Sequence, residues 1–241
     1  MNYNWNWRIF WQESPNGVET YLDLLLSGLY WSIIIALASW VIALAIGSFI
    51  GVMRTTQSKF WNIFGQAWVE VFRNIPLLVQ LFLWFFVAPE LLPKEASMWV
   101  KQQSPIYTSI ICLGFFTSAR VAEQVRAGIE ALPRGQSMAS LALGMTSWQT
   151  YRYILLPTAY RIMLPPLTSE FLSLIKNTSV CFMIGVMDLM GQTNSMSEFT
   201  FQTFESLTAA TVLYLLINLV VVMLARSLER KMAIPGFMTS N

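Results

Sequence analysis

Four charged residues, Arg120, Glu123, Arg126 and Glu130, follow an uncharged stretch that begins after Lys101. Their spacings of three, three and four residues put all four on one helical face, within an arc of about 120° at 100° per residue. If a helix starts near Pro105, Arg120 lies roughly 22 Å along it, past the middle of a ~30 Å hydrocarbon core. An arginine that deep costs about 2.5–3.5 kcal/mol to insert, so it needs a water-filled cavity or a partner charge. Its planar fork can hold a carboxylate through two hydrogen bonds. Self-satisfaction is the alternative, with Arg120 pairing Glu123 at i,i+3 and Arg126 pairing Glu130 at i,i+4. The second pair falls at or beyond the interface and reads as structural. For Arg120 both readings stay open on the residues alone.

Other candidates are softer. Glu70 and Arg73 form an i,i+3 pair that reads as structural. Pro165-Pro166 interrupts an apolar stretch, and irregular backbone at membrane depth is tolerated where it lines a cavity or is covered by protein. Glu170, Asn177 and Thr178 lie beyond that break. With Pro166 they are candidates for a pathway or gate, and a simple helix end accounts for them equally well. The Met-rich run 181–191 fits a re-entrant segment, a gate helix or, more simply, plain packing. Enzyme chemistry is poorly served. There is no histidine, no pair of catalytic-looking aspartates, no metal-ligand cluster and no Gly-rich loop ending Gly-Lys-Ser/Thr. Cys112 and Cys181 sit in apolar surroundings and read as buried thiols. No cofactor or metal is therefore expected in this chain.

The elements that must position these residues are membrane spans. The chain is 55% hydrophobic and 12% charged, against about 25% charged in a soluble domain. Basic residues are spread along it, which gives no sign of nucleic-acid binding. Five spans are expected: 24–53, 61–87 (interrupted by Glu70 and Arg73), 106–131, 152–174 (broken by Pro157, Pro165 and Pro166) and 206–225. Arg54, Lys59, Arg134, Arg152, Arg226, Arg230 and Lys231 fall on one side, and fewer basic residues fall on the other. The positive-inside rule then puts the N-terminus outside and the C-terminus in the cytoplasm. Tyr3, Trp5, Trp7 and Trp11 suit an interfacial aromatic segment rather than a cleaved signal.

Between the third and fourth spans lies a stretch too polar to cross and too helix-prone to be slack loop. Pro133 ends the third helix. Residues 136–143 can make about two turns, Gly144 suits the left-handed closing residue, and Thr146 with Gln149 matches a capping box. The small residues Ala139, Ser140, Ala142 and Gly144 would let another surface come close. Such an elbow is a knob for a partner's groove, or a helix pair lying on the headgroups.

The stretch Ala139…Gly144…Ile154-x-Leu156-Pro157 resembles the cytoplasmic coupling loop of ABC-importer permeases, whose pattern is Glu-Ala-Ala, three residues, Gly, nine residues, Ile-x-Leu-Pro. "FRNIPLLVQLF" (72–82), "RVAEQVRAGIEALPRGQ" (120–136) and "EFLSLIKNTS" (170–179) are similar to the polar amino-acid branch, most of all to glutamate/aspartate permease subunits. The resemblance spans roughly residues 20–235. Met138 stands where the motif has its acid and Ser140 where it has its second alanine. "RNIP" (73–76) stands where many relatives have Arg-Gly-Thr-Pro. The resemblance implies half of a transmembrane pathway, driven by a separate ATPase dimer that binds ATP and magnesium, fed by a periplasmic amino-acid-binding protein, and completed by a second permease subunit, a heterodimer being favoured. It implies that Arg134, Gly135, Ala139, Ser140, Gly144, Ile154, Leu156 and Pro157 couple to the ATPase. It also suggests that Arg120 recognises a substrate side-chain carboxylate, with Glu123 orienting it or meeting the ammonium group.

The expected molecule is thus an all-α integral protein of the bacterial inner membrane. It has an external segment at 1–21, one permease domain at 22–232 with a coupling loop at 132–157, and a cytoplasmic tail at 233–241. Its expected work is glutamate/aspartate import, without enzymatic activity of its own. The rivals are import of glutamine, arginine or cystine, and a non-transporting membrane scaffold.

Overall fold

The computed structural model describes residues 3–15, 17 and 19–232. The expected tail, 233–241, and the side chain of Arg134 lie outside the described residues. Among the described residues the chain is helical, with one isolated bridge between Glu13 and Thr20.

The longest uncharged run becomes α1, Tyr21–Met53. Thr20 caps it: its hydroxyl accepts from the Asp23 amide at 3.2 Å, and the Asp23 carboxylate accepts from the Thr20 amide at 3.1 Å. Gly47 and Gly51 lie one turn apart and let the α1 backbone approach α5 (Pro105–Glu130). A Cβ on Gly51 would lie 2.6 Å from Val125 Cβ and 2.7 Å from the Ala122 carbonyl oxygen; one on Gly47 would meet Val121 Cβ at 2.6 Å.

The second expected span is not one rod. It consists of α2 (Lys59–Asn74), α3 (Leu77–Phe82), a π turn at Leu83–Val87 and a 3-10 turn at Ala88–Leu91. Pro76 has no amide to donate and drives Ile75 to extended backbone, φ −93° and ψ 129°. The "NIP" of "RNIP" is thus where one helix stops and the next starts. A short helix, α4 (Lys94–Gln102), follows and was not expected from its polar composition.

The third span forms as expected, as α5. The fourth departs from expectation in the opposite sense to the second. Helix α8, Leu156–Asn177, runs unbroken through Pro165 and Pro166. A proline removes only its own amide bond, whereas unwinding the helix in an apolar surrounding would strand several more backbone groups. Pro157 is accommodated by a π turn at Tyr151–Leu155, in which the Leu156 amide donates five residues back to Tyr151.

The irregular backbone comes later than the prolines. A 3-10 turn, Thr178–Ile184, ends at Gly185 in the left-handed region, φ 86°. Then α9, Leu189–Thr200, starts at Asp188, whose carboxylate accepts from the Gly191 amide at 3.0 Å. Thr178 is buried and donates to the Ile175 carbonyl at 2.8 Å, and Asn177 is half-buried beside it. Both mark a change of helical pitch. The last helix, α10 (Thr203–Met232), is longer than the expected 206–225. Among the described residues three helices, α1, α5 and α10, are long and apolar enough to cross a membrane, and two broken ones raise the number to at most five.

Two compact units are formed, and α1, α5, α8 and α10 contribute to both. One comprises 1–39, 76–113 and 173–220; its core gathers Ile9, Phe10, Tyr21, Leu25, Leu189 and Met196. Here the aromatic N-terminal segment is fastened to α10. Tyr3 donates to the Glu205 carboxylate at 2.5 Å, and the Asn6 amide donates to it at 2.7 Å. That hydrogen bond to Glu205 pushes the Tyr3 phenol up to about 12. Cys112 and Cys181 are buried free thiols, as their surroundings suggested. The other unit comprises 40–75, 114–172 and 221–241, with a core of Ala43, Val121, Val125, Leu155, Ala159 and Met163. It carries the candidate site.

Candidate functional site

On α5, Ala119, Val121, Ala122 and Val125 are buried. The strip this packing leaves open carries Arg120, Glu123 and Gln124. These three, with Arg73 from α2 and Glu170 from α8, line a cavity of about 260 Å³. The Arg120 guanidinium lies over the Phe116 ring, 5.0 Å from its centroid. Its ion pair with Glu170 is loose, at 3.8 Å. Glu170 Oε2 is shielded from solvent and accepts no hydrogen bond. Arg120 is therefore a cation lining a cavity with its donors largely uncommitted.

The expected Arg120–Glu123 pair is not made. Glu123 is held instead by two other guanidiniums. Arg54, at the end of α1, bonds one carboxylate oxygen at 2.5 Å, and Arg126 bonds the other through two nitrogens. The cause is packing. Gly51 brings α1 against α5, and Gly65 lies against the Arg54 stem, where a Cβ would meet Cγ at 2.6 Å. So Arg54 reaches Glu123 from another helix. Arg126 also pairs with Glu130 at 2.5 Å, as expected. Glu123 therefore does not hold Arg120 in this structure. The i,i+3 pair of Glu70 and Arg73 is also absent. Glu70 accepts from Gln66 at 2.9 Å, and Arg73 makes no ion pair or hydrogen bond among the described residues.

Glu123 thus joins the end of α1 to α5 through half-buried charges. Glu123→Ala would leave Arg54 and Arg126 facing each other unneutralised. It is expected to cost about 3 kcal/mol and to lower the melting temperature of the purified chain in detergent. Glu130→Ala, at the exposed end of the network, should cost under about 1 kcal/mol in the same melt.

The elbow forms much as its residues indicated. Pro133 precedes α6 (Arg134–Ala142), Gly144 takes φ 81°, and Thr146 with Gln149 makes the capping box of α7 (Ser147–Thr150). Ser140 departs from expectation. It is buried, its hydroxyl donates to the Ser137 carbonyl at 2.8 Å, and it lies 3.0 Å from the Thr150 hydroxyl. It pins α6 to α7 and is not offered to a partner. Gly135, Ala139 and Gly144 are exposed, among the large apolar side chains Met138, Leu141, Leu143 and Trp148. Ile154 and Leu156 are half-buried and Pro157 is exposed. Tyr151 ties the elbow to α1 by donating to the Thr55 carbonyl at 3.0 Å.

The sequence pattern of a family described as binding-protein-dependent transport system inner membrane components matches residues 43–234. The chain belongs to that family. The permease is 44% identical to the glutamate/aspartate import permease protein GltJ of Escherichia coli (strain K12), with 99% of each chain covered. It is 32% identical to the glutamate/aspartate import permease protein GltK of Escherichia coli O6:H1, covering 88% of this chain and 95% of that one. Its fold matches the crystal structure of an amino acid ABC transporter with histidines at a TM-score of 0.75 and 29% identity, covering 88% of this chain and 95% of that one.

Sequence reasoning located Arg120 and Glu170 in the permease but missed that they share a cavity. Arg73 was set aside as half of a structural pair, and Gln124 was overlooked. A signal existed for each. Gln124 is one turn from Arg120 on the same face, and Arg73 lies three residues before a proline.

Proposed function

We propose that the permease is the membrane subunit of an ATP-driven importer of glutamate and aspartate. The charge of the cavity carries this reading. With Glu123 neutralised by Arg54 and Arg126, the guanidiniums of Arg73 and Arg120 face the single carboxylate of Glu170. The surplus is one positive charge. An acidic amino acid brings two carboxylates and one ammonium, the complementary set. A neutral amino acid such as glutamine would leave one guanidinium without a partner. The glutamate/aspartate name of the relatives GltJ and GltK supports the same substrates.

ATP and magnesium bind on a separate ATPase dimer. Its groove receives the exposed apolar knob of Met138, Leu141, Leu143 and Trp148, and Gly144 sets the angle at which the knob is offered. Docking by shape suits a loop whose motif acid is replaced by Met138. A second, similar permease completes the pathway. The presence of two distinct glutamate/aspartate permease proteins in one Escherichia coli strain supports a heterodimer. A periplasmic binding protein delivers the substrate, with the N-terminus on its side and the C-terminus in the cytoplasm. ATP drives the cycle by favouring one arrangement of the spans over the other, a rigid-body switch.

The test is reconstitution. The tagged chain is purified with whatever accompanies it, placed in liposomes containing ATP, and assayed for uptake. Uptake of glutamate and aspartate that excess glutamine, arginine and cystine do not compete away is the expected result. Uptake of a neutral or basic amino acid in their place would move the substrate. An assembly with no substrate-stimulated ATP hydrolysis would favour a scaffold.

A further inference from the structure

The arrangement of charges within the cavity divides the work between its two arginines. We infer that Arg120 and Glu170 clamp the amino-acid head group, and that Arg73 reads the side-chain carboxylate. This inference rests on the reading of the cavity as a substrate site, and it moves side-chain recognition from Arg120 to Arg73.

The loose Arg120–Glu170 pair decides the matter. A cation and an anion 3.8 Å apart are close enough to face one small zwitterion together and too far apart to satisfy each other. The only part of an amino acid that presents an anion and a cation side by side is the α-carbon. Its carboxylate takes the Arg120 fork, and its ammonium supplies the hydrogen bonds that the shielded Glu170 oxygen lacks. Any α-amino acid carries that head group, so the clamp by itself selects none of them.

Arg73 is placed to do the selecting. It stands in the last turn of α2, two residues before the extended residue Ile75 that ends the helix. Cations are favoured at a helix C-terminus, which holds Arg73 without an ionic partner. Arg73 lines the same cavity as the clamp and makes no ion pair among the described residues, and its neighbour Glu70 accepts from Gln66 instead. Gln124, also in the lining, is uncharged and cannot substitute for it. A side chain ending in a carboxylate would satisfy Arg73. One ending in an amide offers a single neutral acceptor and no charge, and a charge-assisted, bidentate pair is the stronger of the two.

The probe set is L-glutamate, L-glutamine and glutarate, which lacks the ammonium. Binding is measured by calorimetry on the purified, assembled transporter without its binding protein, so that the preference is that of the membrane subunits. Wild type should prefer glutamate to both others. Arg73→Gln should lower the glutamate-over-glutamine preference about 10- to 100-fold. Arg120→Gln should weaken glutamate and glutamine alike, and Glu170→Gln should abolish the preference for glutamate over glutarate. Arg73→Lys keeps the charge without the fork. It should give an intermediate preference and serves if Arg73→Gln fails to assemble. Should Arg73→Gln and Arg73→Lys keep the full preference while Arg120→Gln loses it, the division of labour is overturned and the cavity reading survives. Should wild type bind none of the three, the cavity reading fails, and this inference with it.

Discussion

Arg120→Ala should reduce glutamate uptake by the reconstituted transporter about 100-fold or more, while the assembled complex elutes and melts as the wild type does. The two halves of this expectation have different sources. For the fold, Arg120 contributes little, because its side chain is 42% exposed and its one ionic partner is 3.8 Å away. Such pairs are worth about 0–1 kcal/mol. For the substrate it is the fork that holds the α-carboxylate, and truncating one partner of a charged pair leaves the other uncompensated. Arg120→Lys should restore part of the uptake, since it returns the charge but not the paired donors. Uptake assays beside size-exclusion profiles separate the outcomes. Uptake unchanged in a stably assembled Arg120→Ala complex removes Arg120 from the pathway.

Gly51→Leu is expected to have the largest effect on folding, a loss of more than about 3 kcal/mol. A Cβ there would lie 2.6 Å from Val125 Cβ and 2.7 Å from the Ala122 carbonyl oxygen. The carbonyl belongs to the α5 backbone and cannot rotate away. The helices must separate, and their separation also pulls Arg54 from Glu123. Native stabilities of about 5–15 kcal/mol leave little room for this, so the yield of monodisperse protein in detergent should collapse. Gly135→Ala is the control. No atom lies within 4 Å of a Cβ there, and its elution profile should match wild type.

How much of this was legible in the sequence differs from residue to residue. Helices α1, α5 and α10 were readable because each is a long run with few charges, and the cost of burying charge in a bilayer leaves such runs few alternatives. The elbow was readable because Pro133, Gly144 and the Thr146–Gln149 box act locally, each through its own backbone. Prolines elsewhere misled. Pro76 stops a helix, whereas Pro165 and Pro166 ride inside one, and the residue type does not tell the two apart. Helix α9 was missed because residues such as Gln192, Asn194 and Glu198 give it no apolar signature. Its start is marked only by the Asp188 cap. The site was half legible. Spacing along α5 correctly aligned its charges, but spacing cannot see a partner on another helix. Arg54 took Glu123, and Glu170 became the partner of Arg120.

The most direct measurement is a structure of the assembled transporter trapped with L-glutamate. Density for the amino acid in the cavity, its head group between Arg120 and Glu170 and its side chain toward Arg73, is the predicted result. Density for glutamate elsewhere in the membrane subunits, with those two guanidiniums turned to lipid, would contradict it.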